Sequence, residues 1–138
     1  MQTALTLELF FSLLLAMALG ALVGIEREMT HKPAGLRTHM LVSLGACLFT
    51  VVSIGFSFDP ARIAAGIVSG IGFIGAGTIL AEKDKVQGIT TAASLWATAA
   101  IGLTVGIGDY PLSVVVTFLV LIILSSNSLF KKFGHKKY

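Results

Sequence analysis

The chain has 138 residues, 55% of them hydrophobic and 12% charged, with a mean hydropathy of +0.91, whereas an ordinary soluble domain is about 25% charged. Ten Lys and Arg against seven Asp and Glu leave a net charge of +3, dispersed over the ends of apolar runs and accompanied by no nucleic-acid motif. Composition therefore excludes a soluble globular domain and argues against a nucleic-acid partner.

A hydrocarbon core about 30 Å thick needs about 20 apolar residues per helical span. Five stretches qualify, at about 5–25, 39–58, 63–81, 89–108 and 111–130. They predict a single transmembrane domain over 1–130, an all-α bundle of five helices, followed by a basic tail at 131–138. The first stretch is read as a span rather than a cleaved signal, because no Lys or Arg precedes it and its apolar run continues past any cleavage point. Glu8 lies close to its start, shallow enough to reach water. Gly20 and Gly24 form a GxxxG near its other end.

The first loop, GIEREMTHKPAGLRTHM, is the densest polar cluster. Pro33 and Gly35 mark a turn that brings Glu26 and Arg37 to one membrane face and within potential pairing distance. Arg27 and Thr38 belong to the same cluster, which reads either as an ion-paired interface loop or as a partner or ligand site. His31 and His39 are eight apart, and no His, Cys or Asp set has catalytic zinc spacing. The second span carries the lone Cys47, expected to be a packed, inert thiol.

The third span contains GIVSGIGFIGAGTI, in which Gly70, Gly72 and Gly75 spell GxGxxG. A dinucleotide loop requires a preceding strand and an acid about 20 positions on. Neither is present. The small residues Gly66, Gly70, Gly72, Gly75 and Gly77 instead suit close helix packing, the alternative being a helix break that lines a site. With the Ala-rich fourth span, the third is expected to form the tight centre of the bundle. The fourth opens with VQGITTAASLW, whose Thr90, Thr91 and Ser94 sit where hydroxyls can cap a helix or flank an anion. Trp96, two turns in, is expected to pack on Gly/Ala surfaces. The fifth span, PLSVVVTFLVLIIL, is bulky on every face and is expected to sit peripherally.

Nine of the ten Lys and Arg fall in the first loop, the third loop and the tail, and the tenth, Arg62, in the second loop. This distribution predicts an outside N-terminus and a cytoplasmic C-terminus. The basic tail is expected to act as a juxtamembrane anchor.

The runs GALVGIERE, PAGLRTHMLVSLGA, RIAAGIVSGIGFIGAGTI and VQGITTAASLWATAAIGLTVGIGDY, in that order, resemble the membrane domain of the MgtC/SapB family. The likeness spans roughly Gly20 to Tyr110. It implies a bacterial inner-membrane protein linked to magnesium limitation and, in pathogens, to survival inside host cells. It further implies a regulator acting through other membrane proteins. The matching positions are Glu26, Arg27, Gly35, Leu36, Arg37 and Thr38, then Gly70, Gly72, Gly75, Ala76 and Gly77, then Gly88, Thr90, Thr91, Ala92, Ala93 and Trp96. The chain ends soon after the fifth span, and the soluble C-terminal domain of many virulence-associated members is not expected.

Two functions follow as expectations. The first is a regulator that docks its Gly/Ala surfaces on another membrane protein. The second is a small ion transporter working as a homodimer, with Mg2+ as the candidate ion. Catalytic, metal and cofactor residues are not assigned, an enzyme is not expected, and the partners named are the lipid bilayer, other membrane proteins and a second copy of the chain.

Overall fold

The computed structural model describes residues 2–55, 59–82 and 85–134. Five helices follow one another: α1 (Gln2–Met29), α2 (Leu36–Gly55), α3 (Pro60–Ala76), α4 (Ile89–Gly106) and α5 (Tyr110–Gly134). A small antiparallel hairpin, β1 (Leu80–Glu82) with β2 (Lys85–Gln87), joins α3 to α4 and pairs Leu80 with Gln87 and Ala81 with Val86. The protein is an all-α membrane protein. Thr6–Met29, Leu36–Gly55 and Ile89–Gly106 are long and apolar enough to cross a bilayer, while the apolar stretches Ala61–Ala76 and Tyr110–Ser126 are shorter.

The third expected span is thus corrected at its end. Its helix stops at Ala76, and the following residues turn into the hairpin. Gly77 donates its N–H to the carbonyl of Phe73, and Thr78 Oγ1 donates to the carbonyl of Gly75, so the last turn is closed locally. The helix is continuous over Pro60–Ala76.

Polarity is arranged for lipid, with hydroxyls inside and large apolar side chains outside. Ser12, Thr50, Thr98, Ser113 and Thr117 are buried, while Phe10, Phe49, Phe73, Phe118 and Ile123 are exposed. Inside a bilayer an unsatisfied hydroxyl is costly, and most of these bond to their own helix. Thr50 Oγ1 donates to the Ala46 carbonyl at 2.7 Å, Thr98 to Ser94 at 2.8 Å and Thr117 to Ser113 at 2.7 Å.

The centre of the bundle is α1, α2 and α4, not α3 and α4 as the glycine pattern predicts. The close approaches are made by Gly20 and Gly24 of α1 and by Gly102 and Gly106 of α4. A Cβ at Gly20 would stand 2.6 Å from the His39 carbonyl oxygen, one at Gly24 2.7 Å from Leu36 Cα, and one at Gly106 2.6 Å from Thr50 Cβ. These contacts let three backbones approach without intervening side chains. Around them pack Ala16, Leu19, Val23, Cys47, Ile101 and Val105. By contrast, Gly66, Gly70 and Gly72 of α3 have no heavy atom within 4 Å of a would-be Cβ. They do not pack helices within the chain. Gly75 alone of the third-span set meets α4, at Ala92.

Helix α3 leans on α4 and α2, and α5 on α4 and α1, so both are peripheral. The peripheral position expected for α5 is observed, with Leu112, Val115, Leu119 and Ile122 on its exposed side. Phe11 meets the Tyr110 ring edge-on at 5.5 Å between centroids, and Ser12 Oγ lies 2.9 Å from the Tyr110 hydroxyl, fixing the start of α5 to α1.

Two turns end in left-handed residues. At the end of α4, Gly108 has φ +86°, its N–H bonds the Val105 carbonyl, and the Asp109 N–H bonds the Thr104 carbonyl. Asp109 then caps α5 through Oδ1, which accepts the Leu112 N–H. At the end of α1 the left-handed position is taken by His31, φ +54°, with His31 N–H on Glu28 and Lys32 N–H on Arg27. Both are Schellman ends.

Candidate functional site

The polar cluster expected from the first loop assembles at one end of the bundle, where α1 turns into α2 and α4 begins. Pro33 and Gly35 sit in a turn short enough that Glu28 reaches across it. Glu28 Oε2 accepts the Leu36 N–H at 2.7 Å, satisfying an open amide at the start of α2. A Cβ at Gly35 would lie 2.5 Å from that carboxylate oxygen, so a side chain there would push Glu28 out of the turn.

Arg27 is buried, 3% exposed, and its Nε bonds the carboxylate of the adjacent Glu26. This corrects the expected Glu26–Arg37 pair. Arg27 lies inward on α1 and takes the acid, whereas Arg37 is exposed and has no ion pair or hydrogen bond among the described residues. The cluster therefore divides into an internal ion pair and an unpaired outward cation.

His39, one turn into α2, is fully buried and holds the centre of the site. Its backbone N–H and its Nδ1 both address the Gly35 carbonyl, Nδ1 at 2.9 Å. A carbonyl only accepts, so Nδ1 carries a proton. Nε2 stands 3.1 Å from Ser94 Oγ of α4, and that hydroxyl lies 2.8 Å from the Thr91 carbonyl. A neutral imidazole protonated at Nδ1 accepts at Nε2, so the single Ser94 proton serves either His39 or Thr91. One chain of polar groups thus links the start of α2 to α4.

The expected hydroxyl cluster is only partly gathered here. Thr91 and Ser94 are buried, whereas Thr90 is exposed. None of them caps α4. That position belongs to Gly88, φ +89°, where a Cβ would overlap the Thr78 carbonyl oxygen. Trp96 is 52% exposed and borders a recess formed with Ile67, Ile71 and Ala99. It faces outward beside α3 rather than filling a Gly/Ala interface as expected. Thr38 lies with Arg37 at the mouth of a groove between α2 and α3. The 131–138 tail and Lys83 lie outside the described side chains.

Sequence reasoning missed the His39–Ser94 contact. Its signal was present: a histidine at the head of one apolar run and a serine in the first turns of another. Each must find a partner inside the bundle. Among the described residues no group of three or more His, Cys, Asp or Glu is placed to hold a metal ion, and no Asp or Glu is buried.

Comparison with known proteins gives a consistent picture. The model of the MgtC family matches residues 13–133. The chain is 44% identical over 129 residues to the Escherichia coli K12 protein named "Putative magnesium transporter YhiD", covering 86% of this chain and 60% of that one. It is 50% identical over 111 residues to Protein MgtC of Salmonella typhimurium strain LT2, covering 80% and 48%. A Haemophilus influenzae protein of unassigned role is 39% identical over 143 residues, covering 95% and 60%. The chain therefore spans about half to three-fifths of the length of these relatives. No solved structure matches it.

Proposed function

This chain belongs to the MgtC family, and we propose that it is a multi-pass protein of the bacterial inner membrane that regulates other membrane proteins during adaptation to magnesium limitation. The observation that carries this reading is the contrast between a closed centre and an open α3. The α1–α2–α4 core is sealed by glycine contacts and lined by hydroxyls most of which bond to their own helices, and the described residues place no carboxylate inside it. Such a centre holds shape but provides little to replace the water shell of Mg2+, which favours carboxylate and water oxygens. Meanwhile Ala65, Ser69, Gly72 and Ala76 lie exposed along one side of α3, at the spacing that lets another helix approach closely. In this reading the N-terminus is outside and the Arg27–Arg37 end is cytoplasmic, the orientation that the distribution of Lys and Arg favours.

The test is site-specific photo-crosslinking from position 72 in native membranes, with position 115 on α5 as the reference. A defined heterologous product from 72 and not from 115 supports docking through α3. Self-products alone from both positions would sink it.

The name of the Escherichia coli relative favours a second reading, a homodimeric transporter for Mg2+. Mg2+ uptake by proteoliposomes of the purified chain, abolished in Glu26→Gln protein that remains folded, would replace the regulatory reading with this one.

A further inference from the structure

Between α2 and α3 a groove opens sideways from the bundle and encloses about 790 Å3, within the roughly 300–1,000 Å3 of sites that take small apolar molecules. Leu41 and Phe49 of α2 face Ile63, Ile67 and Ile74 of α3 across it. The groove exists because Gly45, Gly66 and Gly70 border it without side chains, and none has a heavy atom within 4 Å of a would-be Cβ. Arg37 and Thr38 stand at one end, Arg62 at the other. From Arg37 to Phe49, or from Arg62 to Ile74, is about 18 Å along a helix, slightly more than half of the roughly 30 Å hydrocarbon core.

We propose that this groove binds an anionic diacyl phospholipid, with an acyl chain lying along the α3 glycines and the headgroup phosphate held by Arg37 and Thr38. The apolar walls suit a hydrocarbon chain, and a guanidinium matches a phosphate with two parallel hydrogen bonds. Charge selects the Arg37 end. Its neighbouring acids are engaged, Glu26 by Arg27 and Glu28 by the Leu36 amide. Arg62 instead follows Asp59 by one turn, and the Asp59 carboxylate makes no capping bond, which offsets attraction for an anion there. A second copy of this chain fits less well. A twofold contact through the groove would set Arg37 towards Arg37 and Arg62 towards Arg62, like charges that oppose pairing.

The experiment is native mass spectrometry of the full chain released from detergent after titration with dioleoyl phosphatidylglycerol or dioleoyl phosphatidylcholine. The wild type is expected to retain one phosphatidylglycerol per chain, with about tenfold preference over phosphatidylcholine, equivalent to about 1.4 kcal/mol. Arg37→Ala should remove the preference, and Gly70→Leu, which fills open space, should remove retention of both lipids. An excess of glycerol phosphate should not displace the lipid, since the acyl chain contributes binding. Circular dichroism of each variant confirms folding, and Gly72→Leu, outside the groove, serves as a substitution that leaves retention unchanged. Equal retention of the two lipids by the wild type overturns the proposal, as does undiminished retention by folded Gly70→Leu protein. Dimers abolished by Gly70→Leu, without lipid retention by the wild type, would assign the groove to a second copy instead.

Discussion

Gly102 of α4 rests directly on the backbone of Ser43 in α2, so closely that a Cβ at position 102 would overlap the Ser43 carbonyl oxygen. On its other side Ser43 faces Gly20 of α1, where an added Cβ would stand 2.8 Å from Ser43 Cβ. Three helices therefore meet at one small residue.

Because the nearest neighbours at Gly102 are backbone atoms, they cannot rotate away. Gly102→Ala should destabilise the fold by about 1–3 kcal/mol, the cost of overpacking a tight contact. Gly72→Ala, in open space on α3, should be neutral or stabilising by up to about 1 kcal/mol, since alanine is the better helix former. Thermal unfolding of the purified chain in one detergent compares them. An equal loss in both would refute the central role given to α4.

The Ser43 hydroxyl itself is buried without a hydrogen-bond partner among the described residues. Ser43→Ala keeps the small volume and removes an unsatisfied group, so it should leave stability unchanged or raise it by about 1 kcal/mol. A clear drop in the unfolding temperature would mean that the hydroxyl contributes through a partner.

Across the polar end, His39 and Ser94 should behave as a coupled pair. Ser94→Ala strands Nε2 of a fully buried imidazole, for an expected loss of about 1–3 kcal/mol. His39→Leu combined with Ser94→Ala should recover part of that loss, and the double-mutant cycle should return a coupling of about 0.5–3 kcal/mol. Strict additivity would show that the 3.1 Å contact carries no energy.

Two backbone positions predict opposite signs. His31 occupies a left-handed conformation that disfavours a side chain, so His31→Gly should stabilise by about 1 kcal/mol. Gly88→Ala combines left-handed strain with overlap on the Thr78 carbonyl, and should cost at least 1–2 kcal/mol while loosening the junction of hairpin and α4. Limited proteolysis of the hairpin gives a local readout for the second.

Burial of Arg27 makes Glu26 its necessary counter-charge. Glu26→Ala should cost about 3 kcal/mol, the loss expected when one member of a buried pair is removed. Glu8→Ala, at an exposed carboxylate, should change stability by less than about 0.5 kcal/mol. Chemical denaturation in mixed micelles would separate the two, and a smaller effect at Glu26 than at Glu8 would contradict the burial assigned to Arg27.

A helical membrane protein, the apolar runs that form its helices and the ordered motifs that join it to its family are all legible in the amino-acid sequence. Those properties are local: a run of about 20 apolar residues needs its backbone bonds satisfied within itself, wherever its neighbours lie. Which glycines carry the fold depends instead on how the helices pack. Gly66 and Gly70 in α3 and Gly20, Gly24, Gly102 and Gly106 in α1 and α4 share the same small-residue spacing, yet only the latter meet opposing backbone or Cβ atoms. Spacing places a glycine on a helix face, but the rotation of each helix about its own axis decides what that face meets. The same rotation turned Arg27 inward and Arg37 outward, transferring Glu26 from the expected partner to its neighbour, and brought His39 within reach of a serine 55 residues away.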